Sequence, residues 1–327
     1  MKFAKTLTAA VLAAGLAFSA QAADKMKIAM VVKTLGNGFF DAAHQGADEA
    51  AKQLGDVDII FTGPAKATAE GQIELINSLV AQKVQAIVIS ANDPDALVPA
   101  TKKAMARGIK VLSFDSGIKK EGRLFHLDPS SKTLIGEKLV KMTVEAVGNT
   151  GEIAILSATA QATNQNAWIE EVKKVLAKPE YAGLKLVATV YGDDQTDKSY
   201  REAQGLFKSY PNLKAIIAPT TVGIAAASKA VVDGNLVGKV FVTGLGLPSE
   251  MAGHVKSGAV KSFAIWNPID LGYAITYAAH EFVKGKAGKT VSLGRMGNVT
   301  PDADGAAPMA EPFTYDASNV EKFAKFF

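Results

Sequence analysis

Ile28 to Val32 is a short apolar run rich in β-branched residues, and from Phe39 onward Phe39, Ala42, Ala43, Gly46, Ala47, Ala50 and Ala51 recur at helical spacing. A strand buried on both faces reads as such an unbroken run, and a helix packed on one side reads as such a stripe. The unit then returns. Val57 to Phe61, Ala86 to Ile89, Lys110 to Phe114 and Arg123 to Leu127 read as strands, with helical segments at Ala69 to Gln82 and Asp95 to Arg107 between them. Neighbouring parallel strands need a crossover, and a helix supplies it. Alternation across short connections therefore constrains the chain to a parallel sheet with helices on both faces. Lys33 to Phe40, which includes Gly36-Asn37-Gly38, becomes the loop at the carboxyl end of the first strand, where open α/β sheets bind ligands.

A long helical segment from Ser131 to Val147 interrupts the rhythm and ends at Gly148-Asn149-Thr150-Gly151. The alternation then restarts. Strands are expected at Ile153 to Leu156, Leu184 to Val190, Ala215 to Ala218, Val240 to Thr243 and Ser262 to Trp266. Helices between them are expected at Asn164 to Leu176, Asp197 to Ser209, Gly223 to Val232 and Ser249 to Ser257. Two runs of one unit predict two similar doubly wound α/β lobes. After Trp266, Asn267 is placed to cap a helix with Pro268 in its first turn and Ala274, Ile275, Ala278 and Phe282 on one stripe. A helix where another strand is due implies that the chain has crossed back to the first lobe. Gly288 to Pro312 reads as loop with a short strand, and Ala317 to Phe326 as a last helix.

The first residues stand apart from this pattern. Lys2 and Lys5 precede an apolar run from Leu7 to Phe18, and Ala20-Gln21-Ala22 is a small-x-small site, so residues 1–22 are expected to be a secretory signal peptide cleaved after Ala22. The run falls well short of the roughly 20 apolar residues that span a bilayer. The 36 basic residues lose Lys2 and Lys5 with it, leaving 34 against 32 acidic ones. Such a balance, with no basic block, argues against a nucleic-acid partner. The chain has no cysteine, which excludes thiolate metal sites and disulfides.

Enzyme signatures are missing as well. There is no Gly-x-Ser-x-Gly elbow and no phosphate loop ending in Gly-Lys-Ser or Gly-Lys-Thr, and Gly244-Leu245-Gly246 lacks the third glycine of a dinucleotide fingerprint. The histidines, His44, His126, His254 and His280, lack metal-ligand spacing. The reading is thus of a binding protein without catalytic residues, cofactor or metal.

The order of units resembles the periplasmic sugar-binding proteins of ABC transporters, ribose-binding type, over essentially all the chain after the signal peptide. It is carried by Lys33-Thr34-Leu35-Gly36-Asn37-Gly38-Phe39-Phe40, Ser90-Ala91-Asn92-Asp93-Pro94-Asp95, Phe114-Asp115-Ser116 and Trp266-Asn267-Pro268. Within that family it points to two branches, rhamnose-binding proteins and autoinducer-2 receptors; the runs Gly192 to Glu202 and Ala218 to Gly223 look like the rhamnose branch. The resemblance implies a type I periplasmic binding protein. Its two lobes would be joined by three hinge crossings, near Leu127 to Ser130, Trp266 to Pro268 and Pro312 to Asp316. The expected N-terminal lobe comprises 23–128 plus 267–313, and the C-terminal lobe 129–266 plus 314–327. A monomer in the periplasm, passing a small neutral sugar to a membrane permease, is the implied function. L-rhamnose is the expected ligand, and autoinducer-2 or another pentose, hexose or sugar alcohol the alternative.

The candidate ligand residues follow partly from the residues themselves and partly from that likeness. Lys33 offers a cation and Phe39 and Phe40 ring faces in the first loop, although both phenylalanines also read as helix-start core. Asp115 follows a strand and matches the family's cleft aspartate, where a carboxylate accepts from two neighbouring hydroxyls; a turn at Asp115-Ser116-Gly117 would place it there too. Asn164 and Gln165 open a helix where autoinducer-2 receptors carry an acid and an amide; the neutral Asn164 both donates and accepts, which favours a different hydroxyl pattern. Pro219, Thr220 and Thr221 match a further binding loop. Leu245 stands where ribose-type proteins place an aspartate, and an apolar side chain there suits the methyl group of a 6-deoxy sugar, although it could also point into the core. Asn267 matches the family's cleft amide. Trp266 and Phe114 are further ring-stacking candidates, and Asn92 and Asp93 are candidates for the rim, with a turn before Pro94 accounting for them more readily.

Overall fold

The computed structural model describes residues 25–327; the expected signal peptide lies outside the described residues. Strand β1 (Met26–Val31) feeds helix α1 (Gly38–Leu54), and the alternation continues through β2 (Val57–Thr62), α2 (Ala69–Ala81), β3 (Ala86–Ile89), α3 (Val98–Ala106), β4 (Lys110–Phe114) and β5 (Phe125–Asp128). Helix α3 starts three residues later than the Asp95 expected from its pattern. Asp93 Oδ1 accepts the amides of Asp95 and Ala96, each at 2.8 Å, and holds the chain in a turn up to that point.

After α4 (Lys132–Val147) come β6 (Gly151–Ser157), α5 (Thr163–Leu176), β7 (Leu184–Tyr191), α6 (Thr196–Ser209), β8 (Leu213–Ala218), α7 (Thr221–Asp233), β9 (Phe241–Gly244), α8 (Pro248–Ser257) and β10 (Ser262–Ile265). Helix α9 (Pro268–Val283) follows, then short strands β11 (Val291–Ser292), β12 (Asn298–Val299) and β13 (Ala306–Pro308), strand β14 (Phe313–Asp316) and helix α10 (Val320–Phe323). The segment expected to hold one short strand thus holds three, and the last helix is one turn.

The first sheet runs β13-β5-β4-β3-β1-β2 with every pairing parallel. The second runs β7-β6-β8-β9, and a parallel bridge between Leu245 and Ala264 adds β10 beyond β9. Counting strands from the start of each lobe, both sheets have the order 2-1-3-4-5. In such a sheet the crossovers leave the first strand in opposite directions, and a crevice opens beyond the carboxyl ends of its first and third strands. Both sheets turn that edge toward each other. Ile28, Ala29 and Met30 in β1 and Ile153 to Leu156 in β6 have no exposed surface. This is why those strands read as unbroken apolar runs, and each large side chain so buried contributes roughly 1.5–3 kcal/mol.

The chain does cross back after β10. Helix α9 packs against α1 so closely that a Cβ built on Gly46 would lie 1.8 Å from Ile269 O, and one on Gly272 would lie 1.8 Å from Ala43 O. Two glycines let the helix backbones touch, which ties the segment following Trp266 to the first lobe. Strand β13 then extends the first sheet, whereas β14 runs antiparallel beside β10.

Candidate functional site

A small cavity of about 30 Å³ lies where the two carboxyl edges meet. From the first sheet the lining comes from Lys33, Asn37, Phe39 and Phe40 after β1 and from Asp115 after β4. The second sheet supplies Gln165 and Trp168 at the start of α5, Asp194 after β7, Pro219, Thr220 and Thr221 after β8, Leu245 after β9, and Ile265 and Trp266 at the end of β10.

One polar network joins the two halves. Lys33 Nζ donates to Asn164 Oδ1 at 2.9 Å and to Gln165 Oε1 at 3.1 Å, and lies 3.9 Å from Asp115 Oδ2. Asp115 accepts from Ser90 Oγ at 2.7 Å and from Asn164 Nδ2 at 2.8 Å, one bond to each carboxylate oxygen. Neither oxygen serves a local turn. Each keeps a lone pair, so the carboxylate can still receive two hydroxyls. Lys33 is 3 % exposed and Asp115 5 %; at that burial, removing one partner of the pair strands the other charge. The Lys33 loop is itself fixed from behind, where Asn92 Nδ2 donates to Lys33 O at 2.9 Å.

A second carboxylate faces the same space. Asp194 accepts from Thr220 Oγ1 at 2.5 Å, and burial pushes its pKa up from the usual 3.8, partly opposed by the charge of Lys33 and the Thr220 hydrogen bond. Asp115 and Asp194 both adopt left-handed backbone, with φ of +57° and +50°. Non-glycine residues pay for that conformation, and it persists where the surroundings force it, commonly at binding sites.

The apolar side is aromatic. Phe39 and Phe40 meet edge to face at 5.2 Å, Phe39 meets Trp266 at 6.2 Å, and Trp168 meets Trp266 at 5.6 Å. The rings contact one another and line the cavity together with Leu245 and Ile265. A cavity lined both by hydrogen-bonding groups and by aromatic and aliphatic side chains suits a small polyol that also carries apolar surface.

Residues 28–287 match the family model described as a periplasmic binding protein domain. The chain belongs to that family. Periplasmic binding proteins capture solutes and do not transform them. A solute-binding protein of an ABC transporter from Clostridium phytofermentas, solved with bound L-rhamnose, is 36% identical, covers 93% of this chain and 99% of its own, and superimposes with a TM-score of 0.88. The D-ribose/D-allose-binding protein of Pseudomonas aeruginosa is 29% identical over 260 residues, which is 76% of this chain and 79% of that protein. LsrB from Clostridium saccharobutylicum, solved with AI-2, shares the fold with a TM-score of 0.86 at 21% identity, covering 91% of this chain and 99% of its own.

Of the residues singled out in the sequence, the structure brings Lys33, Phe40, Asp115, Gln165, Pro219, Thr220, Thr221 and Leu245 together around the cavity. Asn164 stands just behind it as the bridge between Lys33 and Asp115. Asn267 is elsewhere: its Oδ1 caps α9 by accepting from Ile269 N, and its Nδ2 donates to Asp270 Oδ2, both at 2.9 Å. Phe114 is fully buried and backs Phe40 at 6.5 Å. Asn92 and Asp93 serve the backbone, as described above. Phe39, read with Phe40 as a ring-face candidate, lines the cavity too, whereas sequence reasoning missed Asn37, Trp168, Asp194 and Ile265. Asp194 carried a usable signal, because it follows β7 at the strand-end position that had nominated Asp115.

Proposed function

We propose that this periplasmic binding protein captures L-rhamnose in the periplasm and hands it to the permease of an ABC importer. The single observation that carries the ligand is the mixed lining of the cavity, in which Asp115, Asp194 and Gln165 stand together with Leu245, Ile265 and Trp266. A 6-deoxy hexose presents hydroxyls on one edge and a methyl group on another. The relative from Clostridium phytofermentas, solved with L-rhamnose, supports the same choice. Lys33, Phe40, Pro219, Thr220 and Thr221 complete the contacts in this reading, with Asn164 holding the lobes together. Asn267 acts at the hinge through its cap on α9.

The division into lobes at 23–128 plus 267–313 and 129–266 plus 314–327 belongs to this reading. It is supported by β13 joining the first sheet and β14 joining β10. The protein works as a monomeric clamp that closes on its ligand about three crossings.

A thermal-shift screen of the ligand-stripped protein against L-rhamnose, L-mannose, pentoses, D-allose, D-ribose and autoinducer-2 tests the proposal. Ligand at about a thousandfold over its dissociation constant adds roughly 4 kcal/mol of stability. A large shift with L-rhamnose and small ones with the rest is the expected result. A larger shift with autoinducer-2 or with D-allose would replace rhamnose as the ligand, and no shift with any sugar would overturn the reading.

A further inference from the structure

Gly38 opens α1 in the first lobe, and the start of α8 in the second stands directly against it. A Cβ built on Gly38 would lie 3.0 Å from Glu250 Oε1 and 3.1 Å from Leu247 Cδ1. Glu250 is exposed and can turn its carboxylate to solvent, but Leu247 is 2 % exposed and packed in the core. Non-bonded carbon atoms rest about 3.5–4.0 Å apart, so one added methyl group would push the two elements apart by roughly half an ångström. The backbone gives no other reason for a glycine here. Gly38 does not adopt left-handed backbone, and alanine is the better helix former.

We propose that Gly38 is a positioning residue for sugar binding: its missing side chain lets the start of α8 seat against α1, and this contact sets how far the two lobes close. The inference rests on the sugar-binding reading above. Gly38 is not among the residues lining the cavity, but both sides of the contact lead into it. Phe39 and Phe40 follow Gly38 directly, Leu245 precedes Leu247 by two residues, and all three line the cavity. The distance between α1 and α8 is therefore passed on to the distance between the phenylalanines and Leu245. In a cavity of about 30 Å³, half an ångström between walls is enough to loosen contacts that a bound sugar makes with both lobes. The bridge through Asn164 draws the lobes together, and the contact at Gly38 limits how near they come.

The test enlarges Gly38 and then removes the atom in its way. Gly38→Ala should bind L-rhamnose about five- to a hundredfold more weakly by calorimetry, the effect of overfilling a packed contact, and Gly38→Val more weakly still. Stopped-flow measurements on the tryptophan fluorescence should place the loss in the dissociation rate, because the lobes meet at Gly38 only after the sugar has entered. Leu247→Ala, or Leu247→Val if the alanine variant does not fold, makes room for the added methyl group. Combined with Gly38→Ala, it should bring affinity back to within about threefold of the Leu247 variant alone, a recovery that damage to the start of α1 would not show. Gly38→Val binding rhamnose as tightly as the unaltered protein, or a loss in Gly38→Ala that persists in the double variant, would overturn the inference and leave the sugar-binding reading standing. Failure of that reading shows instead in the unaltered protein: another sugar bound in place of rhamnose takes its place in every measurement, and a protein that binds no sugar loses both readings.

Discussion

Asn164 Nδ2 donates to Asp115 Oδ1 at 2.8 Å while Asn164 Oδ1 accepts from Lys33 Nζ at 2.9 Å. One neutral amide thereby joins α5 of the second lobe to both charges of the first. A carboxylate could keep the bond to Lys33, but it would lose the donor and face Asp115 as a second negative charge. Asn164→Asp is expected to weaken L-rhamnose binding by about ten- to a hundredfold, since a hydrogen bond to a charged group contributes roughly 1.5–3 kcal/mol. Calorimetry measures the loss, and small-angle scattering should show a larger ligand-free particle as the lobes separate. Unchanged affinity would mean that the bridge does not hold the closed form.

Asp115→Asn probes the carboxylate itself. The shape is kept and Ser90 Oγ can still donate, but one acceptor atom becomes a donor beside Asn164 Nδ2, and Lys33 loses its counterion at 3.9 Å. Binding is expected to fall by at least about a hundredfold, through two charged hydrogen bonds at roughly 1.5–3 kcal/mol each. The fold should survive, since Asp115 sits at a strand end and no bond within the sheet depends on its side chain. A dissociation constant within fivefold of the unaltered protein would remove Asp115 from the site.

Most of the fold was legible because both of its periods are written in the side chains. Ile28 to Val32 and Ile153 to Leu156 are apolar without interruption because each strand is covered on two faces. The α3 start was misplaced because Asp93 makes its turn through a side chain, which periodicity does not see. The site was legible where strand ends carry polar residues, as at Asp115 and Thr220. Trp168 was not, because its place on α5 looks like core until the opposite lobe is in position. Asn267 shows the converse. The features that nominated it, a polar residue before Pro268 at a crossing, are equally those of a helix cap, and capping occupies both ends of its amide.

Leu245 gives the ligand its expected selectivity. Like Ile265, Phe39, Phe40 and Pro219, it brings no side-chain polar group to the lining, so a methyl group placed beside it avoids the cost of desolvating a hydroxyl. L-rhamnose should bind more tightly than L-mannose, its 6-hydroxy counterpart, by about ten- to a hundredfold, the range an apolar pocket reaches against an added hydroxyl. Leu245→Ser should reduce that preference to less than about threefold, chiefly by weakening rhamnose. Competition calorimetry with the two sugars measures the ratio. A preference that survives the substitution would place the methyl group elsewhere.

Asp194 predicts opposite pH dependences for stability and for binding. Burial raises its carboxyl pKa above 3.8, so between that value and its folded pKa the folded state holds more protons than the unfolded one. Stability contributed by this group therefore rises as pH falls through the folded pKa, and the penalty is fully present above it. Asp194→Asn removes the penalty while Thr220 Oγ1 can still donate to the amide oxygen. The ligand-free variant should melt above the unaltered protein at pH 7, and the difference should shrink toward zero as pH approaches 3.8. Sugar binding runs the other way, because the ionised carboxylate accepts from hydroxyls and its protonated form accepts less well. Affinity of the unaltered protein relative to the variant should thus decline over the same acid range in which their melting temperatures converge. If the two differences moved in the same direction, Asp194 would be a buried structural acid with no contact to the ligand.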